Sequence, residues 1–336
     1  MSDDMLDDLR ATTRRALAAD GADILDELGL AGLLVDYDRG GLGLGEREMT
    51  LVATELGRAL SFSGFLATAV LGVTLLSDSD TAEAAGLLEE LGSGQSRCAV
   101  ASSSWMPSAP TVIGQLVDGH WAVSGSTLGL FTPSEPDTVL VAAATPAGTQ
   151  LFSVAREYVS VTAADLLDPA RGMAQLEFAA AAARLLAGPE QTEVATRRAY
   201  HRGLVAVAAE QLGIARMCLE MSVEYAKSRT QFGSPIGSFQ AVKHRCAEVL
   251  LDVELGDAVL AEAVVGRSVV DDELAFIVAT RAALAASDAC IQIHGGIGFT
   301  WEHKAHWYFR RARVNATLMG PPSVHRAAIA GSLDLV

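Results

Sequence analysis

The stretch Ser228–His244, which reads SRTQFGSPIGSFQAVKH, decides how the C-terminal part of this chain folds. Before it, apolar residues between Val205 and Leu219 recur every three or four positions, which is the spacing of a helix packed against other helices. Glycine and proline within the stretch end that helix, and the same spacing resumes at Phe239. Turn chemistry explains the interruption, but it gives no reason for Arg229 and Phe232 to stand at the break.

The composition is that of a globular protein with a sizeable core. The chain has 336 residues, of which 50% are hydrophobic and 20% are charged. Its 41 acidic side chains outnumber its 25 Lys and Arg side chains, and the net charge is −16. A protein that binds nucleic acid needs a basic surface to displace counterions from the phosphates. No nucleic-acid partner is therefore expected.

Cysteine spacing and hydropathy bear on the cellular compartment. Cys98, Cys218, Cys246 and Cys290 stand far apart without a CxxC pair, as is typical of reduced thiols in a cytosol. The N-terminus is acidic and then amphipathic, without the apolar core of a signal peptide. The longest apolar stretch, FLATAVLGVTLL (65–76), is too short to cross a bilayer. These features predict a cytoplasmic protein that has no membrane partner.

The chain changes character twice along its length. Residues 1–95 contain helical runs, whereas 96–188 contain short β-rich segments separated by Gly, Pro and Asp, which is typical of antiparallel strands. From 189 to 336 the pattern is helical again, with the apolar stripes of a helical bundle. The sequence predicts a mainly α protein with a small β-domain in the middle.

Two motifs in the C-terminal half are specific. EYAKSRTQFGSPIGSFQAVKHRCAEVLLDVE (224–254) and IQIHGGIGFTWEHKAHWYFRRAR (291–313) resemble the acyl-CoA dehydrogenase family closely. LGLAGLLV, GGLGLG and ELGRAL near the N-terminus and DPARGMAQLEF (168–178) are also similar to that family, so the likeness covers nearly the whole chain. The resemblance implies an N-terminal helical domain (1–95), a middle β-barrel-like domain (96–188) and a C-terminal four-helix bundle (189–336).

The resemblance also implies FAD as the cofactor. In the family, the RxxFG segment, the glutamine that starts the next helix and the QxxGGxG segment hold the ADP half of an FAD across a dimer interface. A guanidinium can donate forked hydrogen bonds to a pyrophosphate, and glycines let the backbone approach a cofactor. There are simpler alternatives. Arg229 can be a cation that interacts with the dipole at the C-terminus of its helix, and the glycines can form an ordinary turn. Carried over to this sequence, the cofactor-binding residues are Arg229, Gln231, Phe232, Gln240, Gln292, Gly295, Gly296 and Gly298.

The family's catalytic base does not carry over. Family chemistry removes an α-proton from an acyl-CoA, which needs a positioned carboxylate. Met319 in TLMGPPSVHR stands where most members have the glutamate, and Gly203 stands at the alternative position used by other members. Glu210 is the nearest carboxylate to that second position, and it is kept as an alternative base beside a structural or interface role. No catalytic residue is assigned.

The β-domain departs from the family as well. Members usually carry a TEPxAGSD-like segment that binds the flavin ring, but the corresponding segment here reads ASSSWMPSAP (101–110). The strand after it, GSTLGLFTP (125–133), lacks the family's lysine. The chain keeps residues that resemble a grip on a partner's cofactor and lacks those that hold a flavin ring.

We interpret this combination of kept and missing residues as a sign that two different subunits share the cofactor site and the reaction. The chain is expected to be the non-catalytic subunit of an α2β2 acyl-CoA dehydrogenase, similar to actinobacterial enzymes of steroid degradation. A catalytic partner subunit would hold the acyl-CoA, and an electron-transfer flavoprotein would accept the electrons. Two alternatives stay open: a self-sufficient flavoenzyme that uses Glu210 as its base, and a binding or scaffold protein of the same fold.

The motif WEHKAHW invites comparison with metal sites. It places Glu302, His303 and His306 close together, but the order is neither HExxH nor its reverse. We predict no metal, and we expect these residues to pack on the helical bundle. His294, within IHGG, is expected to be a hydrogen-bonded or cofactor-adjacent histidine and not a catalytic one.

Overall fold

The computed structural model describes residues 3–18, 24–61, 63–106, 109–130, 136–266 and 268–333. Helices precede and follow a run of strands, so the predicted fold class, mainly α with a small β-domain, is confirmed. A π-helical segment, Phe65–Gly72, leads into α4. The helices are α1 (Asp3–Leu17), α2 (Ile24–Glu27), α3 (Glu46–Ala59), α4 (Val73–Ser77), α5 (Ala82–Gly92), α6 (Pro189–Ser228), α7 (Gln240–Gly266), α8 (Val269–His294), α9 (Ala305–Leu318) and α10 (Pro322–Ser332). The strands are β1 (Cys98–Ala101), β2 (Val112–Val117), β3 (His120–Leu130), β4 (Thr138–Thr145), β5 (Gly148–Ala155), β6 (Val159–Ala163), β7 (Met173–Ala187), β8 (Thr230–Gln231) and β9 (Ser234–Pro235).

The chain folds into two compact units. The first covers Met1–Met49 and Phe62–Gly203, and the second covers Thr50–Ser61 and Leu204–Val336. The sequence-based division at 95 and 188 stays a prediction, because most of the N-terminal helical region and the strands share the first unit.

The first unit contains a seven-stranded sheet in the order β1-β3-β2-β4-β5-β7-β6. Additional pairings of β1 with β4 and of β3 with β7 join strands that are not adjacent in that order, as in a barrel-like sheet. β4 runs through the centre and its first six residues are buried. Phe152, Leu176 and Phe178 are among the side chains that fill the core with it.

The second unit is a helical bundle that depends on small residues. A Cβ at Gly57 in α3 would lie 2.1 Å from the carbonyl oxygen of Glu210, and one at Gly213 in α6 would lie 2.0 Å from that of Thr54. The two helices therefore touch backbone to backbone. α8 contributes a buried face made largely of alanine, which includes Ala275, Ala279, Ala282, Ala283, Ala286 and Ala289.

One described helical stretch is long and apolar enough to cross a membrane by length and composition. It is Val269–Phe299, and 61% of its most apolar part is buried inside the protein. Burial to that extent is what the core helix of a soluble protein shows. The alanine-rich face of α8 accounts for this hydropathy.

The helix contact at Gly213 gives the first testable prediction. Gly213→Ala should lower the free energy of unfolding by about 3 kcal/mol, because the new methyl group meets a backbone that cannot rotate away. Gly86→Ala is the matched control: Gly86 lies within α5, and a Cβ there meets nothing within 4 Å. That change should raise stability by about 0.5–1 kcal/mol. Urea denaturation of both variants measures the difference, and equal stabilities would contradict the close contact.

Candidate functional site

A short hairpin follows α6 and presents the predicted cofactor residues. β8 pairs with β9 through Gln231 and Ser234, which leaves Phe232 and Gly233 as a two-residue loop. Their φ angles are +52° and +78°, so both lie in the left-handed region. Positive φ at both central positions is the mark of a type I′ turn, where Asn-Gly is the usual sequence. Phe232 occupies the first of these two positions, where phenylalanine is unusual.

Phe232 is both strained and solvent-exposed. A non-glycine residue in the left-handed region costs about 1–2 kcal/mol. The side chain is 94% exposed, so burial in this chain does not offset the cost. Its ring meets that of Phe239 edge-on, at 6.1 Å between centroids. Strain of this kind concentrates at sites that bind ligands or partners.

Arg229 lies at the foot of the hairpin, in an electropositive neighbourhood. Its backbone N–H donates to the carbonyl of Tyr225 at 2.8 Å, but within the described part of the chain its guanidinium forms no ion pair. No Asp or Glu occurs between Glu224 and Glu248, although the whole chain carries a net charge of −16. An exposed, unneutralised guanidinium in such a stretch suits an anionic ligand.

The glycine loop, Gly295–Phe299, follows α8 and contains the second set of predicted residues. Gly295 has a φ of +62°, which ends the helix. A Cβ at either Gly295 or Gly296 would meet nothing within 4 Å, whereas one at Gly298 would lie 3.1 Å from the carbonyl oxygen of Ile291. Packing inside this chain therefore explains why residue 298 has no side chain, but it does not explain why residue 296 has none. The open space over Gly296 fits the close approach of a group from outside the chain.

An aromatic stack lies where the hairpin and the glycine loop begin. The ring of His294 is stacked on Tyr225 at 4.4 Å between centroids and lies 4.3 Å from the ring of His303. Its Nδ1–H donates to the carbonyl oxygen of Cys290 at 2.7 Å. His294 is thus a hydrogen-bonded histidine beside the predicted cofactor residues.

Two thiols modify the charge around His294. A hydrogen bond from Cys218 and the neighbouring imidazole lower the pKa of Cys290 to about 5. Burial raises the pKa of Cys218, the cysteine that forms the hydrogen bond with Cys290. Burial also depresses the pKa of His294, but hydrogen bonds to Cys290 outweigh it and the net pKa is raised. The contacts between Cys290 and His294 therefore shift their pKa values in opposite directions, down for the thiol and up for the imidazole.

Neither of the two positions predicted for the family's base carries a carboxylate. The side chain of Met319 is fully buried, and Gly203 is buried within α6. Glu210 is only 8% exposed, and its Oε1 accepts a hydrogen bond from Arg311 at 3.2 Å. Arg311, itself 2% exposed, also donates to the carbonyl oxygen of Ser61 at 3.1 Å. This geometry gives Glu210 a structural partner, which argues against a role as base.

The segment expected to correspond to the family's flavin-binding motif, residues 101–110, contacts β4 of its own sheet. Ser103 Oγ donates to the carbonyl of Ala142 at 2.9 Å, and Ser104 Oγ accepts from the N–H of the same residue at 2.8 Å. Trp105 is 1% exposed and fills the interior next to them. Both hydroxyl groups therefore form their hydrogen bonds with the backbone of β4. Residues 107–108 of this segment and 131–133 of GSTLGLFTP lie outside the described residues.

The residues of the WEHKAHW motif make separate contacts. His303 Nδ1 accepts from the N–H of Ala305 at 3.2 Å, while His306 packs against Trp301 at 4.9 Å between centroids. In the described ranges no three His, Cys, Asp or Glu side chains are grouped to hold a metal ion. His303 instead belongs to the aromatic stack, a role that its spacing did not indicate.

The structure brings the predicted residues to the surface of the second unit. The exposed ones are Arg229, Gln231, Phe232, Gln240, Gln292, Gly295 and Gly296, and Gly298 alone is buried. Sequence reasoning missed Tyr225, which links the hairpin to His294. Its position four residues before Arg229, one helical turn away, was the available signal.

Comparisons with known proteins agree with the fold. Residues 192–333 match the family model described as the C-terminal domain of acyl-CoA dehydrogenases. The ChsE4-ChsE5 complex from Mycobacterium tuberculosis has a similar structure, with a TM-score of 0.87 and 24% identity over 100% of this chain and 99% of that one. The steroid acyl-CoA dehydrogenase Tcur3481-Tcur3483 gives a TM-score of 0.85 and 24% identity over 98% of each chain.

A curated relative extends the likeness to nearly the full length. The acyl-CoA dehydrogenase IpdE2 of Mycobacterium tuberculosis is 33% identical over 320 residues, which cover 93% of this chain and 88% of that protein. Identity at that level over most of both chains shows common descent, and the fold agrees with it. The chain belongs to the acyl-CoA dehydrogenase family, whose members are FAD-dependent.

Proposed function

We propose that this chain is a non-catalytic subunit of a heteromeric acyl-CoA dehydrogenase, and that it completes FAD sites housed in a catalytic partner. The observation that carries the proposal is an asymmetry within one chain. Seven of the eight residues that resemble the family's grip on the ADP half are exposed, whereas Met319, at the position predicted for the base, is fully buried. The partner would bind the acyl-CoA, and an electron-transfer flavoprotein would be the electron acceptor.

The chemistry of the reaction supports this assignment. When bound, FAD would supply the acceptor for the β-hydrogen, and the reaction would also need a carboxylate to remove the α-proton. Loss of that carboxylate lowers the rate by about 10²–10⁴-fold in enzymes that depend on general bases. Neither Met319 nor Gly203 can accept a proton, and Glu210 is hydrogen-bonded to Arg311. The turnover is therefore assigned to the partner chain.

The residues present fit the ADP half of FAD. Arg229 can donate two hydrogen bonds to a pyrophosphate, and no carboxylate in its own stretch competes for it. Phe232 can cover the adenosine, which offsets the cost of its left-handed backbone. The open space over Gly296 allows the loop backbone to approach the cofactor. Gln240 and Gln292, both exposed, can hydrogen-bond to the same half.

An exposed apolar face on α7 supports assembly with another chain. Leu251 is 70% exposed and Val265 is 80% exposed, and both lie on the helix that begins beside the hairpin. Soluble monomers rarely leave such rows of apolar side chains uncovered. ChsE4-ChsE5 is described as a complex of two different chains. We propose an α2β2 assembly in the cytoplasm, with a partner of the same fold.

The proposed substrate is a steroid-derived acyl-CoA. Tcur3481-Tcur3483 is named a steroid acyl-CoA dehydrogenase, and this chain shares its fold over 98% of its length. No residue of this chain is assigned to the acyl group. The proposal for the substrate class thus concerns the assembled enzyme.

Co-expression tests the division of labour. The full chain expressed alone should bind little FAD and show no dehydrogenase activity, because it lacks a base. Co-purified with a catalytic acyl-CoA dehydrogenase chain from the same operon, it should give a yellow complex that oxidises acyl-CoA with an electron-transfer flavoprotein as acceptor. Activity of the isolated chain with any acyl-CoA would refute the proposal.

Arg229→Ala tests the cofactor grip within that complex. Loss of a charge-assisted hydrogen bond, worth about 1.5–3 kcal/mol, should weaken FAD binding by about 10–100-fold. Lys227→Ala is the matched control, because Lys227 is an exposed cation two residues away that pairs with Glu224 at 2.7 Å. FAD fluorescence on dilution measures both dissociation constants. If the two variants bind FAD equally well, Arg229 has no place in the site.

Glu210→Gln tests whether Glu210 acts as a base or has only a structural role. We expect a loss of about 3 kcal/mol in unfolding free energy, because the change removes a charged partner of the buried Arg311. Glu224→Gln removes the exposed pair with Lys227 and should cost less than about 1 kcal/mol. Thermal and urea unfolding measure both. Full stability of the Glu210 variant together with loss of activity in the complex would restore Glu210 as the base.

A further inference from the structure

The proposed FAD site uses two segments that are distant in the sequence. One is the hairpin after α6, with Arg229 and Phe232, and the other is the glycine loop after α8. A single ligand that contacts both binds more tightly if their spacing is fixed before it binds. The contacts of His294 show what fixes that spacing.

His294 lies at the junction of the two segments. It is the last residue of α8, so the glycine loop begins at the next peptide bond. Its ring is stacked on Tyr225 at 4.4 Å and an interplanar angle of 27°. The carbonyl of Tyr225 accepts the N–H of Arg229 at 2.8 Å, so the same residue carries the foot of the hairpin.

The orientation of the His294 ring is fixed from several directions. Nδ1 is tied to the carbonyl of Cys290 at 2.7 Å, and the ring of His303 lies 4.3 Å away. The glycine loop turns back onto the same residue, since a Cβ at Gly298 would lie 3.3 Å from the Cβ of His294. A rotation of the ring would therefore disturb its stacking on Tyr225 and its contact with His303, while the Cβ of His294 packs against the glycine loop.

Filling of the bundle core is the simpler alternative for a buried histidine. It does not account for the position of His294, because an aliphatic side chain fills a core without a fixed ring plane or a hydrogen bond to satisfy. It also does not account for stacking on Tyr225, whose carbonyl accepts a hydrogen bond from the first residue of the hairpin segment, Arg229. The contacts of His294 are directed to the starts of both segments.

We infer that His294 is a positioning residue, and that the stack of Tyr225, His294 and His303 holds the hairpin and the glycine loop at the spacing needed by the ADP half of FAD. The inference rests on the proposed function, because it takes FAD as the ligand of both segments. His294 does not contact the cofactor in this account. It acts through Tyr225 and through the backbone that continues into Gly295.

The test compares substitutions of His294 in the complex with the catalytic partner. His294→Ala should weaken FAD binding by about 10-fold, on the scale of one aromatic stacking contact. His294→Phe keeps a planar ring and should restore binding to within about 3-fold of the unchanged protein. His120→Ala, an exposed histidine on β3, should leave binding unchanged.

A second measurement does not depend on the cofactor. Hydrogen exchange of the full chain without FAD should become faster at both Arg229–Ile236 and Gly295–Thr300 in His294→Ala, and it should return toward the original rate in His294→Phe. His303→Ala removes the half-buried outer ring and should give the same pattern more weakly. This variant keeps the test decisive if His294→Ala fails to fold.

The outcomes separate the two proposals. If Arg229→Ala leaves FAD binding intact, the proposed cofactor site is wrong. If Arg229→Ala weakens binding but His294→Ala does not, the cofactor site stands and the positioning role of His294 is refuted. It is also refuted if His294→Phe is as impaired as His294→Ala, or if exchange accelerates in only one of the two segments.

Discussion

The backbone contact between α3 and α6 is the constraint on which the second unit depends. Because Gly57 and Gly213 lack side chains, the two helices approach until their peptide groups touch. The end of α3 is then close enough for Arg311 to reach both the carbonyl of Ser61 and the carboxylate of Glu210. A buried guanidinium with one partner removed is strongly destabilising, so the contact and the ion pair depend on each other.

That arrangement gives Glu210 and the residue at 319 roles in the packing of the fold. Glu210 contributes to the packing of three helices, and Met319 fills a position where a carboxylate would need solvation or a substrate. In the first unit, Ser103 and Ser104 hydrogen-bond to β4. These polar side chains have hydrogen-bond partners within the chain. The hairpin and the glycine loop, in contrast, keep polar and aromatic groups that this chain leaves uncovered.

The sequence predicted the fold class and the family, because long apolar stripes and two dense motifs are local signals. It could not predict the conformation of Phe232, since turn statistics place asparagine or glycine at that position. It left the role of Glu210 open, because the partner, Arg311, lies 101 residues away. The stack on His294 was hidden for the same reason: Tyr225 lies in α6 and His303 lies between α8 and α9, and only packing brings their rings together.

The left-handed backbone of Phe232 has a consequence for engineering. A redesign guided by folding stability alone would select Asn at this position, because that residue relieves the strain and removes an exposed ring. Such a protein would be more soluble and more heat-resistant as an isolated chain. It would also have lost the aromatic ring that we propose covers a nucleotide. Selection for folding stability of the isolated chain would therefore weaken cofactor binding in the assembled enzyme.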